Sequence, residues 1–220
     1  MYLVDGNPVP RGTPKTQSYI KFKAPHVLSN FTPFSVRTRA GSEETSLVSI
    51  EFLYHWVKGG KNYMERVQGE QFRKHLEDVW EDGHDSKRVK TESGKAGMKR
   101  FFGGGGKSSR SSFKPSEWDK DVNETMWVLC VYRALCDENY RKAILETRGK
   151  IIIHTETVRG KGGPPFWGAC FRPTGKDGVA HGENKLGEIL MGIRSDMVSN
   201  PESFSKADVL TFEQLKVKIS

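Results

Sequence analysis

Glu51 and Lys58 are the pair in this chain best placed to do chemistry. They stand seven residues apart in Ser49-Ile50-Glu51-Phe52-Leu53-Tyr54-His55-Trp56-Val57-Lys58. That is close to two helical turns, so on a helix both side chains leave one face. A carboxylate and an amine so placed, bordered by His55, make an acid/base and nucleophile pair. The plain alternative is a solvated Glu and a solvated Lys, the common fate of both types.

The elements that must position them can be read from local patterns. Ile50, Leu53, Tyr54 and Val57 fall on an adjoining arc and predict one buried side of a Glu51–Lys58 helix, which Gly59-Gly60 should stop. Before it, residues 17–24 alternate weakly as a strand would, and Leu28-Ser29-Asn30-Phe31-Thr32-Pro33 reads as a turn ahead of a short extended stretch, Phe34 to Val36. Phe72, Leu76, Val79 and Trp80 follow i, i+4, i+7, i+8 and predict a second helix. Val122 to Leu135 is apolar almost all round, as in a buried helix, and Tyr140 to Leu145 continues as a shorter one. Lys150-Ile151-Ile152-Ile153-His154 has the β-branched run of a core strand. A Gly/Pro-rich loop from Gly160 to Pro165 leads to Phe166-Trp167-Gly168, and Leu186, Ile189, Leu190, Ile193 and Met197 mark an amphipathic helix opening near Gly182-Glu183-Asn184. Nothing repeats and regular βαβ alternation is missing, so the expected class is α+β, mainly helical with a few short strands.

Composition sets the frame. A chain of 220 residues reads as one domain, core 17–200, with enough material for a core without staples. Apolar residues at 35% and charged residues at 28% are globular values. No apolar run approaches the roughly 18 residues of a membrane span, and no secretory signal is visible at the start. Cys130, Cys136 and Cys170 are an odd set without C-x-x-C spacing, which suggests neither a disulfide framework nor a zinc site. The reading is a protein of the reduced cytoplasm, without membrane contact, its oligomeric state open.

The net charge of +8 is unevenly placed. Ser93 to Lys114 holds Lys95, Lys99, Arg100, Lys107, Arg110 and Lys114 and no acidic residue, so this segment supplies six of the eight charges. Residues 93–116 are Gly/Ser/Lys-rich and predict a flexible basic insertion. Cations interleaved with Phe101, Phe102 and Phe113 suit DNA, whose phosphates release counterions to Lys and Arg and whose unpaired bases stack on Phe. Lys99, Arg100, Lys107, Arg110 and Lys114 are the candidate nucleic-acid contacts; the plain alternative is a solvated loop.

Three familiar motifs fail. Gly103-Gly104-Gly105-Gly106-Lys107-Ser108 is not a P-loop, because Phe101 occupies the first glycine's place and no strand precedes it. No histidine spacing matches a metal site, so no metal is expected, and no cofactor is implied. G-x-S-x-G is absent.

Leu28-Ser29-Asn30-Phe31, then Ile50-Glu51 with Lys58, then Phe166-Trp167-Gly168 followed by Gly182-Glu183-Asn184-Lys185-Leu186-Gly187, Leu190-Met191 and Arg194, resemble the signature blocks of the NADAR (YbiA-like) family. Typical members carry L-S-N-F, V-E-H-Y-F-Q-A-Q-K and W-G…G-x-N-x-L-G…L-M-x-x-R. Here the order and the Glu-to-Lys interval are kept across residues 28–197. The resemblance implies a compact, mainly helical α+β domain with one cleft, and an N-glycosidase acting on ribosylated nitrogen compounds. Some members cleave intermediates of riboflavin synthesis; others remove ADP-ribose from guanine in DNA, reversing toxins of the DarT type.

By motif position, Lys58 is the implied nucleophile or Schiff-base former and Glu51 the proton shuttle and ribose contact. The plain alternative is an ion pair that holds the cleft. Ser29, Asn30 and Phe31 would line the ribose or phosphate side, beside His55. Trp118 and Trp167 are candidate stacking platforms or core residues, with Gly168 following the second. Asn184 either caps a helix or helps its amides hold a diphosphate, and Arg194 either reaches that diphosphate or braces the fold. Many members have Asp three residues before the Trp of W-G, where this chain has Pro164. Glu156, Asp119 or Asp121 must then take its role, or activity is reduced. The expected substrate is ADP-ribosylated DNA, the alternatives being a riboflavin-type intermediate or binding without catalysis.

Overall fold

The computed structural model describes residues 2–4, 7–9, 19–22, 26–61, 66–94, 97, 101, 115–156, 166–171, 180–204 and 209–219. The described residues form an α+β fold of seven α-helices, one short 3-10 turn and short two-stranded pairings. The chain packs as two units, residues 1–29 with 137–207 and residues 30–136 with 208–220.

The second unit is built around one helix. Strands β4 (Phe34–Arg37) and β5 (Thr45–Val48) form an antiparallel hairpin, Phe34 opposite Val48. Phe34 and Val36 point inward and Ser35 and Arg37 outward, as the two-residue period requires. Helix α1 (Ile50–Lys61) follows at once. Ser49 starts it: its hydroxyl oxygen accepts the Phe52 amide at 3.1 Å, satisfying one of the free donors of the first turn. Every residue from Ile50 to Val57 is buried, not only the arc of Ile50, Leu53, Tyr54 and Val57. The helix is enclosed by α2 (Arg66–Glu81), α3 (Ser86–Glu92) and α4 (Pro115–Cys136).

Helix α1 does not stop at Gly59-Gly60 but runs to Lys61. The reason lies in packing. A Cβ on Gly59 would sit 2.7 Å from Phe72 Cδ1, so the missing side chain is the space the Phe72 ring occupies. On the same interface Phe52 and Trp80 stack at 4.9 Å, and Trp56 Nε1 donates to Glu77 at 3.0 Å. Phe72, Leu76, Val79 and Trp80 are all buried, as their spacing predicts. Helix α7 (Phe212–Ile219) adds Lys216, 2.9 Å from Glu77.

The first unit is organised by β6 (Ile151–His154), whose three isoleucines are buried. It pairs in parallel with β3 (Tyr19–Phe22), inside the 17–24 stretch. Thr155 continues with a parallel bridge to Ala169, just before β7 (Cys170–Phe171), which pairs with β8 (Ala180–His181). Strands β1 (Tyr2–Val4) and β2 (Asn7–Val9) form an antiparallel pair. Helix α5 (Glu138–Leu145) is capped by Asp137, whose carboxylate accepts the Tyr140 amide at 3.1 Å. Helix α6 (Lys185–Ser199) packs on β6; a Cβ on Gly187 would strike the Ile152 carbonyl and the Asn184 amide group, so only glycine lets helix and strand approach this closely. No helix of the described residues is long and apolar enough to cross a membrane.

Candidate active site

In the 30–136 unit a chain of hydroxyls fixes the floor of the site. Ser86 at the start of α3 donates to the Phe31 carbonyl at 3.1 Å, and Ser49 Oγ lies 2.7 Å from Ser86 Oγ. The Glu51 amide donates to the Asn30 carbonyl at 3.0 Å. Asn30 and Phe31, the start of α1 and the start of α3 are therefore tied together. Asn30 is buried; its Nδ2 reaches Met126 Sδ at 3.4 Å, and its Oδ1 has no partner among the described residues. Ser29, in the other unit, is buried and donates its amide to the His26 carbonyl at 2.8 Å.

Glu51 is only 7% exposed. An isolated buried carboxylate would be costly, and this one is matched by two donors on the same oxygen. His55 Nε2 and Lys90 Nζ each lie 3.2 Å from Oε1. Burial alone would push the Glu51 carboxyl up; the hydrogen bond and charge of His55 and the charge of Lys90 outweigh it and hold the carboxyl below its ordinary range. Lys90 also stands 5.1 Å from the centre of the Phe31 ring, a cation held over an aromatic face.

His55 is buried on the same stripe of α1, one turn past Glu51 and one turn before Lys58. Burial lowers its pKa first; the hydrogen bond and charge of Glu51 pull it up; Lys58 and Lys90 push it down again, leaving it below the ordinary value of 6.5. At neutral pH the geometry therefore holds a neutral imidazole beside an ionised carboxylate. Its other nitrogen, Nδ1, lies 2.7 Å from Ser93 Oγ. Lys58 is half-buried, and its charge is felt at His55. A carboxylate, an imidazole and an amine at i, i+4 and i+7 make one line of proton-handling groups.

The 137–207 unit holds the W-G block. The carbonyls of Phe166, Trp167 and Gly168 accept the amides of Lys185, Leu186 and Asn184 at 3.1, 3.0 and 3.0 Å. These first donors of α6 are thus occupied by the W-G segment itself. Asn184, at φ 52°, makes no side-chain cap; its side chain instead accepts the His154 amide at 3.0 Å and donates to the Ile152 carbonyl at 2.8 Å. Gly168 has a packing reason, because a Cβ there would meet the His154 carbonyl and the Glu156 side chain. Trp167 is half-buried and edge-on to Phe166, with centroids 4.9 Å apart. Arg194 Nη1 donates to the Thr147 carbonyl at 2.6 Å, to Thr147 Oγ1 at 2.9 Å and to the Lys150 carbonyl at 2.8 Å, bracing the turn between α5 and β6.

Asn30, Phe31, Glu51 and His55 are thus gathered in one unit, and Trp167, Gly168 and Asn184 in the other. The Trp118 side chain, Lys99, Arg100, Lys107, Arg110, Lys114 and Pro164 lie outside the described residues. Sequence reasoning missed Lys90 and Ser93. Lys90 lies in the short helix α3 and Ser93 caps its end; the start is marked by Asp85, the carboxylate of which accepts the Lys87 amide at 2.8 Å. That Asp-Ser step is the one signal that points to the helix.

No protein-family model and no curated protein matches the chain. Among solved structures, the NMR structure of the Escherichia coli protein YbiA is similar, with a TM-score of 0.50 and 14% identity over 88% of this chain and 96% of that one. At that identity the similarity establishes a YbiA-like fold and stops there.

Proposed function

We propose that the chain is an N-glycosidase that removes ADP-ribose from guanine bases of DNA. The observation that carries this reading is the buried Glu51 carboxylate, held ionised by His55 and Lys90 on the helix face that ends in Lys58. The three sequence blocks and the YbiA-like fold support it.

In this reading Glu51 takes a proton from the Lys58 ammonium, and the freed amine attacks the anomeric carbon of the ribose. The bond from that carbon to guanine breaks, its electron pair leaves with the base, and the proton on Glu51 passes to it. The ring oxygen then leaves the same carbon, taking a proton from the attached nitrogen, to give a protonated Schiff base, and water adds to that carbon to release ADP-ribose and restore the amine. Lys99, Arg100, Lys107, Arg110 and Lys114 would hold the DNA strand through its phosphates.

The test is to incubate the protein, Lys58→Ala and Glu51→Gln with guanine-ADP-ribosylated single-stranded DNA and to follow released ADP-ribose, with borohydride added to trap the imine. Wild type should turn over and be trapped. Lys58→Ala should do neither, and Glu51→Gln should be slower by about 100-fold or more. Turnover that survives Lys58→Ala, or binding without any turnover by wild type, overturns the reading.

A further inference from the structure

Ser93 closes α3, and its hydroxyl has two partners within reach, His55 Nδ1 at 2.7 Å and the Lys90 carbonyl at 3.0 Å. A hydroxyl carries one hydrogen, so the two contacts constrain each other. They also constrain the imidazole. With the ring proton on Nδ1, the bare lone pair of Nε2 would face the ionised Glu51 oxygen at 3.2 Å, an unfavourable contact in a buried site. With the proton on Nε2, that nitrogen donates to Glu51 while Nδ1 accepts the Ser93 hydrogen, which then turns away from the Lys90 carbonyl; the charged contact to Glu51 outweighs that neutral one.

We propose that Ser93 is a positioning residue: it selects the Nε2–H tautomer of His55, which then holds Glu51 by Oε1 and leaves Oε2 directed to substrate. Both partners of Glu51 among the described residues approach Oε1, so the second oxygen is the one available to a ribose hydroxyl or a leaving base. Lys90 fits the same scheme from the other side, its ammonium on Glu51 Oε1. A Ser-His-Glu set invites comparison with a nucleophilic triad, and the geometry argues against one. Ser93 is 4% exposed, and its hydrogen is directed at inward acceptors, so no substrate carbon reaches it. The group acts through His55, as outer hydrogen-bond partners do for an imidazole that must present one chosen nitrogen.

The test reads the tautomer directly, by nitrogen-15 NMR of the imidazole rings, with the His55 signal identified by its loss in His55→Gln. Wild type should show a single Nε2–H form at neutral pH. Ser93→Ala should shift it toward a mixture, and Ser93→Thr, which keeps the hydroxyl, should restore it. The activity arm rests on the glycosidase reading above: Ser93→Ala should lower kcat about ten-fold or more with KM unchanged, and Ser93→Thr should recover it. A wild-type His55 found as Nδ1–H overturns the proposal, as does a Ser93→Ala spectrum identical to wild type. Should Ser93→Ala not fold, the wild-type and Ser93→Thr spectra decide alone. A tautomer shift without any turnover of ribosylated DNA by wild type sinks the glycosidase reading and leaves the role of Ser93 standing.

Discussion

Lys90 Nζ and His55 Nε2 meet at the same oxygen of Glu51, each at 3.2 Å. Two donors arriving from different helices turn one carboxylate into the joint between α1 and α3.

Removing the exposed donor should change chemistry more than stability. The Lys90 side chain is 57% exposed, so its ion pair contributes no more than about 1 kcal/mol to folding. Lys90→Met should therefore unfold within that margin of wild type. It should raise the pKa of Glu51, because a favourable charge is lost while the carboxyl stays buried. Carbon-13 titration of the Glu51 carboxyl measures this, and an unmoved midpoint would refute it.

Acid should weaken the fold in two steps. His55 and Glu51 both hold folded values below their ordinary 6.5 and 4.5. As pH falls, the unfolded chain takes up each proton first, so stability is lost. The contribution of His55 is complete above 6.5 and is lost as pH drops below it; that of Glu51 is complete above 4.5 and goes as pH falls toward its folded value. His26, lowered by burial, adds to the first step. Urea midpoints at about pH 7.5 and about pH 5.5 should fall for wild type and fall less for His55→Gln. Equal losses in the two proteins would show that His55 is not the group responsible.

Gly59→Ala should destabilise, against the usual preference of helices for alanine. The new methyl would lie 2.7 Å from Phe72 Cδ1 and 3.2 Å from Cε1, and Phe72 is buried against α1. Overpacking of this kind costs about 1–3 kcal/mol, more than the roughly 1 kcal/mol gained in helix propensity. Pairing it with Phe72→Leu should recover part of the loss in chemical unfolding. A more stable Gly59→Ala single variant would refute the packing account.

These outcomes mark where local pattern was informative. Phe72, Leu76, Val79 and Trp80 announce α2 because a 3.6-residue period repeats over enough turns to be seen. Ile151 to Ile153 announce β6 because a buried strand needs apolar groups on both faces. Glu51 and Lys58 share a face by arithmetic alone. Helix α3 lacked such a signal: over seven residues only Val89 and Ser86 are buried, too few to show a period. Lys90 and Ser93 reach Glu51 and His55 through where that helix docks, a property of tertiary packing that neither residue type announces. Strands β1, β2, β7 and β8, two or three residues each, are too short to alternate detectably. Gly59-Gly60 looked like a stop because glycine commonly ends helices; here the deciding term was the volume of a neighbour's ring.

The three carbonyls of residues 166–168, each engaged by an amide at the head of α6, carry one more consequence. Backbone anchored at three successive points cannot swing as a hinged flap. Any reorientation of the Trp167 indole must therefore come from rotation about its own side-chain bonds.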